Sequence, residues 1–297
     1  MQPDWPEISD LIIDYDPTSL ARRPVQRSAV LKRLQELGMT RAYRIVHGIA
    51  HARDCLDGEA VDHILLRAHT ELQRLSLEFR VGEQLARLLR PLVRLLLEEG
   101  LIRVRIVDIG CGQGYGLRWL AAHGRLPAEV ELVGCDYNAC LIASARRLAE
   151  QEGLAARFLT ANALRLDQPA HIFISTGVLH HFRGQALDDF LQGQWGARAL
   201  LHLDVKASWA AYPGAWVFHQ ARMREALARH DGVLSAVRAH PGDRLLRAAR
   251  RLHSPLKFSL LDGQPSLLPI FRTLNGLVGL TPSLIANFQS ARMSSFA

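Results

Sequence analysis

A chain of 297 residues, 48% hydrophobic and 22% charged, can bury a sizeable core as one large domain or as a medium domain with an appendage. Its four cysteines, Cys55, Cys111, Cys135 and Cys140, include no C-x-x-C pair, and no histidine or cysteine group has zinc-ligand spacing, so a zinc module is excluded and a reducing cytosol fits. The formal charge of +7 is carried by arginines dispersed as RR or R-x-x-R in stretches such as ARRPVQRSAVLKRL and DRLLRAARRL; these read as solvated helix faces, with a nucleic-acid patch as the alternative.

The start, MQPDWPEISD, is acidic and lacks the basic flank and apolar core of a secretory signal, and no run of 18 apolar residues occurs, so neither export nor a membrane span is expected and the predicted location is cytoplasmic. Pro3, Pro6, Pro17 and Pro24 make residues 1 to 24 an irregular lead-in. VQRSAVLKRLQELG predicts a helix stopping at Gly38, and TRAYRIVHGIAHARDCL predicts another. GEAVDHILLRAHTELQRLSLEF and VGEQLARLLRPLVRLLLEEG follow as helices, Pro91 being expected to kink or split the second. Residues 1–100 are therefore expected to form an all-helical segment, and residues 101–297 a second domain.

From Arg103 the pattern changes. VRIVDIG, VELVGCD, ARFLTAN, HIFIST and RALLHLDV are short apolar strands separated by the helical stretches GLRWLAAHG, ACLIASARRLAEQEG and QALDDFLQGQ. Strands alternating with helices imply right-handed crossovers and an α/β fold with a mostly parallel sheet covered on both faces. A helical stretch over about 213 to 230, then LLRAARRL and two late strands, LKFSLL and FRTLNGLVGL, complete the chain.

The first of these strands runs into IVDIGCGQGYG, where glycines stand at every second position. Glycine lets a backbone reach positive φ and approach a ligand closely, and carboxyl ends of strands are where open α/β sheets bind ligands. A dinucleotide fingerprint would want glycine where Tyr115 stands, and the G-K-[ST] of a phosphate loop is absent. The pattern present is D-x-G-x-G-x-G, from Asp108 through Gly110, Gly112 and Gly114.

VDIGCGQGYG resembles the first motif of the class I S-adenosylmethionine (SAM)-dependent methyltransferases of small-molecule type. The resemblance implies a Rossmann-like, doubly wound, mostly parallel sheet in which residues 101–297 bind SAM and the N-terminal helices form a cap or lid. It implies that the glycine turn packs on the methionine portion of SAM and that Asp108 helps place the amino-acid end. It makes Asp136, closing ELVGCDYN, the acceptor of both ribose hydroxyls and Tyr137 an adenine contact; read alone, Asp136 is a solvated strand-end acid. In FLTANALRL it places Asn162 and the Ala163 amide at the adenine amino group. In IFISTGVLHHF it makes Ser175, Thr176 and on to Val178 a wall for the sulfonium, with His180 facing the acceptor. The match covers residues 105 to about 205, and no motif is assigned in the N-terminal helices or the C-terminal third.

The resemblance implies a SAM-dependent methyl transfer to a small molecule, in specialised metabolism, by a monomer or homodimer. Its runner-up is a SAM-cyclising enzyme giving azetidine-2-carboxylate and methylthioadenosine; a nucleic-acid methyltransferase and a non-catalytic SAM-binding protein are further alternatives. An N-P-P-Y type motif is missing where STGV stands, which argues against flipped-base chemistry and nucleic-acid partners. Asp204 either orients substrate or caps the turn after its strand. His180 and His181 are adjacent and expected to point to different sides, so no metal is expected. Trp209, Tyr212, Trp216 and Phe218 are expected in a core or pocket wall, and Glu71 and Gln73 in HTELQRLSLEF are expected nearest the cofactor if the N-terminal helices are a lid; a dimer interface is the other reading of that segment.

Overall fold

The computed structural model describes residues 5–262 and 274–285. In chain order the elements are α1 (Ile8–Leu11), α2 (Arg27–Glu36), α3 (Thr40–His47), β1 (His51–Ala52), β2 (Cys55–Leu56), α4 (Gly58–Glu78) and α5 (Val81–Glu98). There follow β3 (Val104–Ile109), α6 (Tyr115–His123), β4 (Val130–Asp136), α7 (Ala139–Gln151), β5 (Ala156–Thr160) and β6 (Ile172–Thr176). After a 3-10 turn over Leu179–His181 come α8 (Gln185–Gln192), β7 (Ala199–Val205), α9 (Ala211–Arg222), α10 (Ala226–Arg238), α11 (Gly242–Arg251), β8 (Lys257–Asp262) and β9 (Leu274–Leu280). Residues 271–273 of the last expected strand lie outside the described residues.

The main sheet has seven strands in the order β5-β4-β3-β6-β7-β9-β8. The five strands from β5 to β7 are parallel, and β9 pairs antiparallel with both β7 and β8. Such a sheet, with helices in its connections, is the expected Rossmann-like α/β architecture. Its inner strands read as continuous apolar runs because both faces are covered: every residue of β7 except Val205 is buried.

The described residues divide into two compact units, and the division does not fall at residue 100. One unit comprises residues 1–75 and 207–239, the other 76–206 and 240–297. Helix α5 goes with the sheet because its apolar stripe, Leu85, Leu89, Leu92, Val93 and Leu96, is wholly buried in a cluster with Val104, Ile106 and Leu117. It runs through Pro91 as one helix, so of the two expected outcomes the split does not occur.

The first unit is not all-helical, and its lead-in, irregular over most of residues 5–24 as expected, carries the short helix α1. Helix α1 forms inside the proline-rich start because Asp231 accepts the Ile8 and Ser9 amides at 2.9 Å each, and Glu7 and Asp10 make a capping box. The helix expected over residues 40–56 stops at Gly48, and the hairpin β1-β2 turns through Arg53 and Asp54, both at positive φ. The stretch expected as one helix over 213–230 is two, because the Glu71 carboxylate accepts the Arg224 and Glu225 amides (2.9–3.1 Å) and starts a new helix there. Met223, Leu227 and Leu234 then complete a core with Ile8, Leu34, Val46, Val61 and Leu65. Trp209, Tyr212 and Trp216 are exposed rather than buried in that core, whose contribution from α9 is Phe218.

Since Leu89 is completely buried in α5, Leu89→Ala should cost about 2 to 5 kcal/mol in urea unfolding of the sheet unit. A loss under about 0.5 kcal/mol, the range of a surface position, would show that α5 is not part of that core.

Candidate functional site

The parallel register brings the chemistry-bearing residues to one edge. Asp108 sits near the end of β3 opposite Gly134 and Ile174, Asp136 ends β4 opposite Thr160, and Ser175 and Thr176 end β6 opposite His202 and Leu203. Asp204 lies one residue further along β7. Strand order changes direction between β3 and β6, so this edge is the switch point where open α/β sheets take ligands.

The glycine turn between β3 and α6 holds Gly110, Gly112 and Gly114 at φ of +68°, +53° and +71°. A Cβ on Gly110 would stand 2.7 Å from a methyl of Val178, and one on Gly114 would stand 2.3 Å from the Phe158 ring. These two glycines are therefore required by the protein's own packing as well as by backbone conformation. The turn is tied to the next strand: the Gly110 and Cys111 amides donate to the Cys135 carbonyl at 2.7 and 3.0 Å, and the Gly112 amide donates to Asp136 Oδ2 at 2.9 Å. Asp136 Oδ1 accepts the Asn138 amide at 2.9 Å. Asp136 is thus a buried carboxylate held by backbone amides, not a solvated strand-end acid.

Two buried carboxylates stand here, and one feels the other's charge. Burial, then the negative charge of Asp136, pushes the Asp108 carboxyl up to about 8. Burial also raises Asp136, opposed by the Asn138 and Gly112 amides and by the charge of His181. Asp108 Oδ1 is buried with no hydrogen-bond partner among the described residues. Cys111 and Cys135 are poor nucleophiles, since burial and the two aspartates raise both thiols. Tyr137 is exposed beside Asp136, and Asn162 and Ala163 are half-buried after β5, with Asn162 Oδ1 accepting the Leu164 amide at 2.9 Å.

Next to this pair lies a histidine-aspartate pair. His180 Nδ1 is 2.8 Å from Asp204 Oδ1, the His180 amide donates to Asp204 Oδ2 at 2.9 Å, and the Val205 amide donates to Oδ1 at 2.6 Å. Burial would raise Asp204, but the charge of His180 and these bonds outweigh it and hold the carboxyl below its ordinary range. Asp204 does cap the amide after it, and it also seats the His180 ring. The rings of His180 and His181 do not diverge: the tight 3-10 turn leaves their centroids 4.4 Å apart.

Ser175 Oγ lies 2.8 Å from Nδ1 of His202, which burial keeps neutral by lowering it to about 3. The role of Ser175 against His202 had no signal beyond the alternation of LLHLDV, since only pairing of β6 with β7 joins them. Thr176 is half-buried beside it. Glu71 and Gln73 belong to the other unit, where Glu71 spends its carboxylate on the start of α10 and Gln73 is half-buried.

Residues 106–195 match a family model described as a methyltransferase domain. No curated protein sequence matches the chain. Among solved structures, the plantazolicin methyltransferase BpumL in complex with a pentazolic desmethylPZN analog and SAH is 12% identical, with a TM-score of 0.54 over 84% of this chain and 99% of that one. BpumL in complex with SAH gives 12% and 0.51 over 75% and 97%. Magnesium protoporphyrin IX methyltransferase from Synechocystis PCC 6803 with bound SAM is 15% identical at a TM-score of 0.45, over 86% and 97%. At these identities the likeness is one of fold.

Between about pH 4 and 8 the folded chain keeps a proton on Asp108 that the unfolded chain has released, so this residue destabilises the fold increasingly as pH rises. Asp108→Asn should therefore raise stability over the parent, with a gain that is small near pH 5, grows to about pH 8 and levels off above it. Urea unfolding at several pH values measures this; a gain independent of pH would show that Asp108 ionises normally.

Proposed function

We propose, from the premise that this chain carries a methyltransferase domain of the class I fold, that it methylates a small molecule with His180, seated by Asp204, as general base. SAM is the methyl donor, and the buried Asp108 Oδ1, without a partner among the described residues and beside the glycine turn, fits its amino-acid end, where an ammonium would restore the carboxylate's charge. In this reading Gly110, Gly112 and Gly114 line the methionine portion, Asp136 takes the ribose hydroxyls, Tyr137, Asn162 and Ala163 flank the adenine, and Ser175 and Thr176 wall the reacting end. Bound there, SAM supplies an electrophilic methyl group on sulfur.

The observation that carries the reading is the bond between His180 Nδ1 and Asp204 at 2.8 Å. An ionised carboxylate only accepts, so Nδ1 must carry the ring proton and Nε2 the basic lone pair. With SAM supplying the methyl group, His180 Nε2 would take the proton that the acceptor's hydroxyl or amine gives up on methylation. Asp204 stabilises the imidazolium formed, and its grip on the His180 amide keeps the ring from swinging away. The small-molecule class draws support from BpumL, the neighbour solved with a pentazolic desmethylPZN analog. Specialised metabolism is the setting this suggests.

Incubation with SAM alone and with a panel of small hydroxyl and amine acceptors, analysed for nucleoside products, tests the reaction. S-adenosylhomocysteine forming only when an acceptor is present supports methyl transfer; methylthioadenosine from SAM alone would replace it with the cyclising alternative. His180→Ala should lower turnover by about a hundredfold to ten-thousandfold, the usual worth of a general base, with calorimetric SAM affinity nearly unchanged. If affinity falls in step with turnover, His180 is part of the cofactor seat instead.

A further inference from the structure

The turn bearing His180 is held from a second side. His240, buried just before α11, places Nε2 2.9 Å from the Phe182 carbonyl and 3.2 Å from the Leu179 carbonyl, while its Nδ1 is 3.2 Å from Nη1 of Arg183. A guanidinium has no acceptor, so Nδ1 must accept and the ring proton must sit on Nε2. That is the nitrogen facing the two carbonyls, and each assignment forces the other. Burial first, and then the Arg183 charge, lower the pKa of this ring, which keeps it neutral as the arrangement needs.

Leu179 and Phe182 bracket His180 and His181, so the two carbonyls are the ends of the short turn. Inside the turn the Phe182 amide donates to Leu179 O at 3.0 Å and the His181 amide to Val178 O at 3.1 Å, bonds that shape it without saying where it points. Direction comes from outside: Asp204 grips the His180 amide and ring from the sheet, and His240 grips both ends.

We propose that His240 is a positioning residue, whose Nε2–H latches the Leu179 and Phe182 carbonyls and thereby sets the His180 ring against Asp204. This rests on the reading of His180 as the base, but the latch is read out without turnover. Leucine at this position fills the space with no bonds. Glutamine can do what the histidine does, its amide N–H groups donating to the carbonyls and its Oε1 accepting from Arg183.

The test is nitrogen-15 histidine NMR on the full chain saturated with S-adenosylhomocysteine, with signals assigned from His180→Ala and His240→Gln. In the parent, His240 should show an unprotonated Nδ1, and His180 a slowly exchanging Nδ1–H. His240→Leu should speed exchange of that His180 proton by about tenfold or more, and His240→Gln should bring it back to within about threefold of the parent. An unchanged exchange rate in His240→Leu, a proton on Nδ1 of His240, or a glutamine variant no better than leucine would each overturn the latch. If the leucine variant does not fold, the parent's tautomer and the glutamine variant still decide. A His180→Ala variant with full turnover would remove the base reading and leave the exchange result to judge the latch by itself.

Discussion

The Asp136 carboxylate is the joint on which the ligand edge of the sheet depends. One oxygen holds the Gly112 amide in the turn after β3, and the other holds the Asn138 amide in the turn after β4. Asn138 in turn caps α7 through the Cys140 and Leu141 amides at 2.9 and 3.1 Å. One buried charge therefore fixes the glycine turn, the end of β4 and the start of a helix relative to one another. A buried charge is tolerable only when such donors surround it, and the backbone supplies them.

That joint has an electrostatic consequence next door. Asp108 lies close enough to Asp136 for the second charge to add to the effect of burial, and its Oδ1 finds no donor among the described residues. The fold thus keeps a buried carboxyl oxygen without a donor, among the described residues, at the switch point. The His180–Asp204 pair shows the opposite balance, since both oxygens of its carboxylate are bonded and it is held ionised. Two aspartates on neighbouring parts of one sheet edge are driven to different protonation by whether donors meet them.

The helical unit follows a separate logic. Its core needs Met223, Leu227 and Leu234 from the segment between β7 and α11, and the breaks in that segment are made by acids at long range: Asp231 caps α1, and Glu71 starts α10. Neither acid is a sequence neighbour of what it caps. The exposed aromatics Trp209, Tyr212 and Trp216 sit on the same returning segment, beside the buried His219 and the half-buried Phe218.

The strand-helix alternation from Arg103, the glycine turn and its acids were readable in order because they are local: apolar runs of strand length, punctuating glycines and strand-end carboxylates stand within a few residues of each other. Right-handed parallel crossovers narrow the sheet orders open to those elements, and strand pairing in the structure selects one of them. What the chain did not show by itself was anything set by contacts between distant segments. A leucine stripe such as that of α5 says that a face is buried, not against what, so only packing against Val104 and Ile106 assigned it to the sheet unit. Likewise HH, LLHLD and the isolated His240 carry no spacing that joins them. The tertiary structure decided that Asp204 meets His180, His202 meets Ser175 and His240 meets the turn, because hydrogen bonds between strands and loops far apart in sequence depend on register and chain path rather than on residue type.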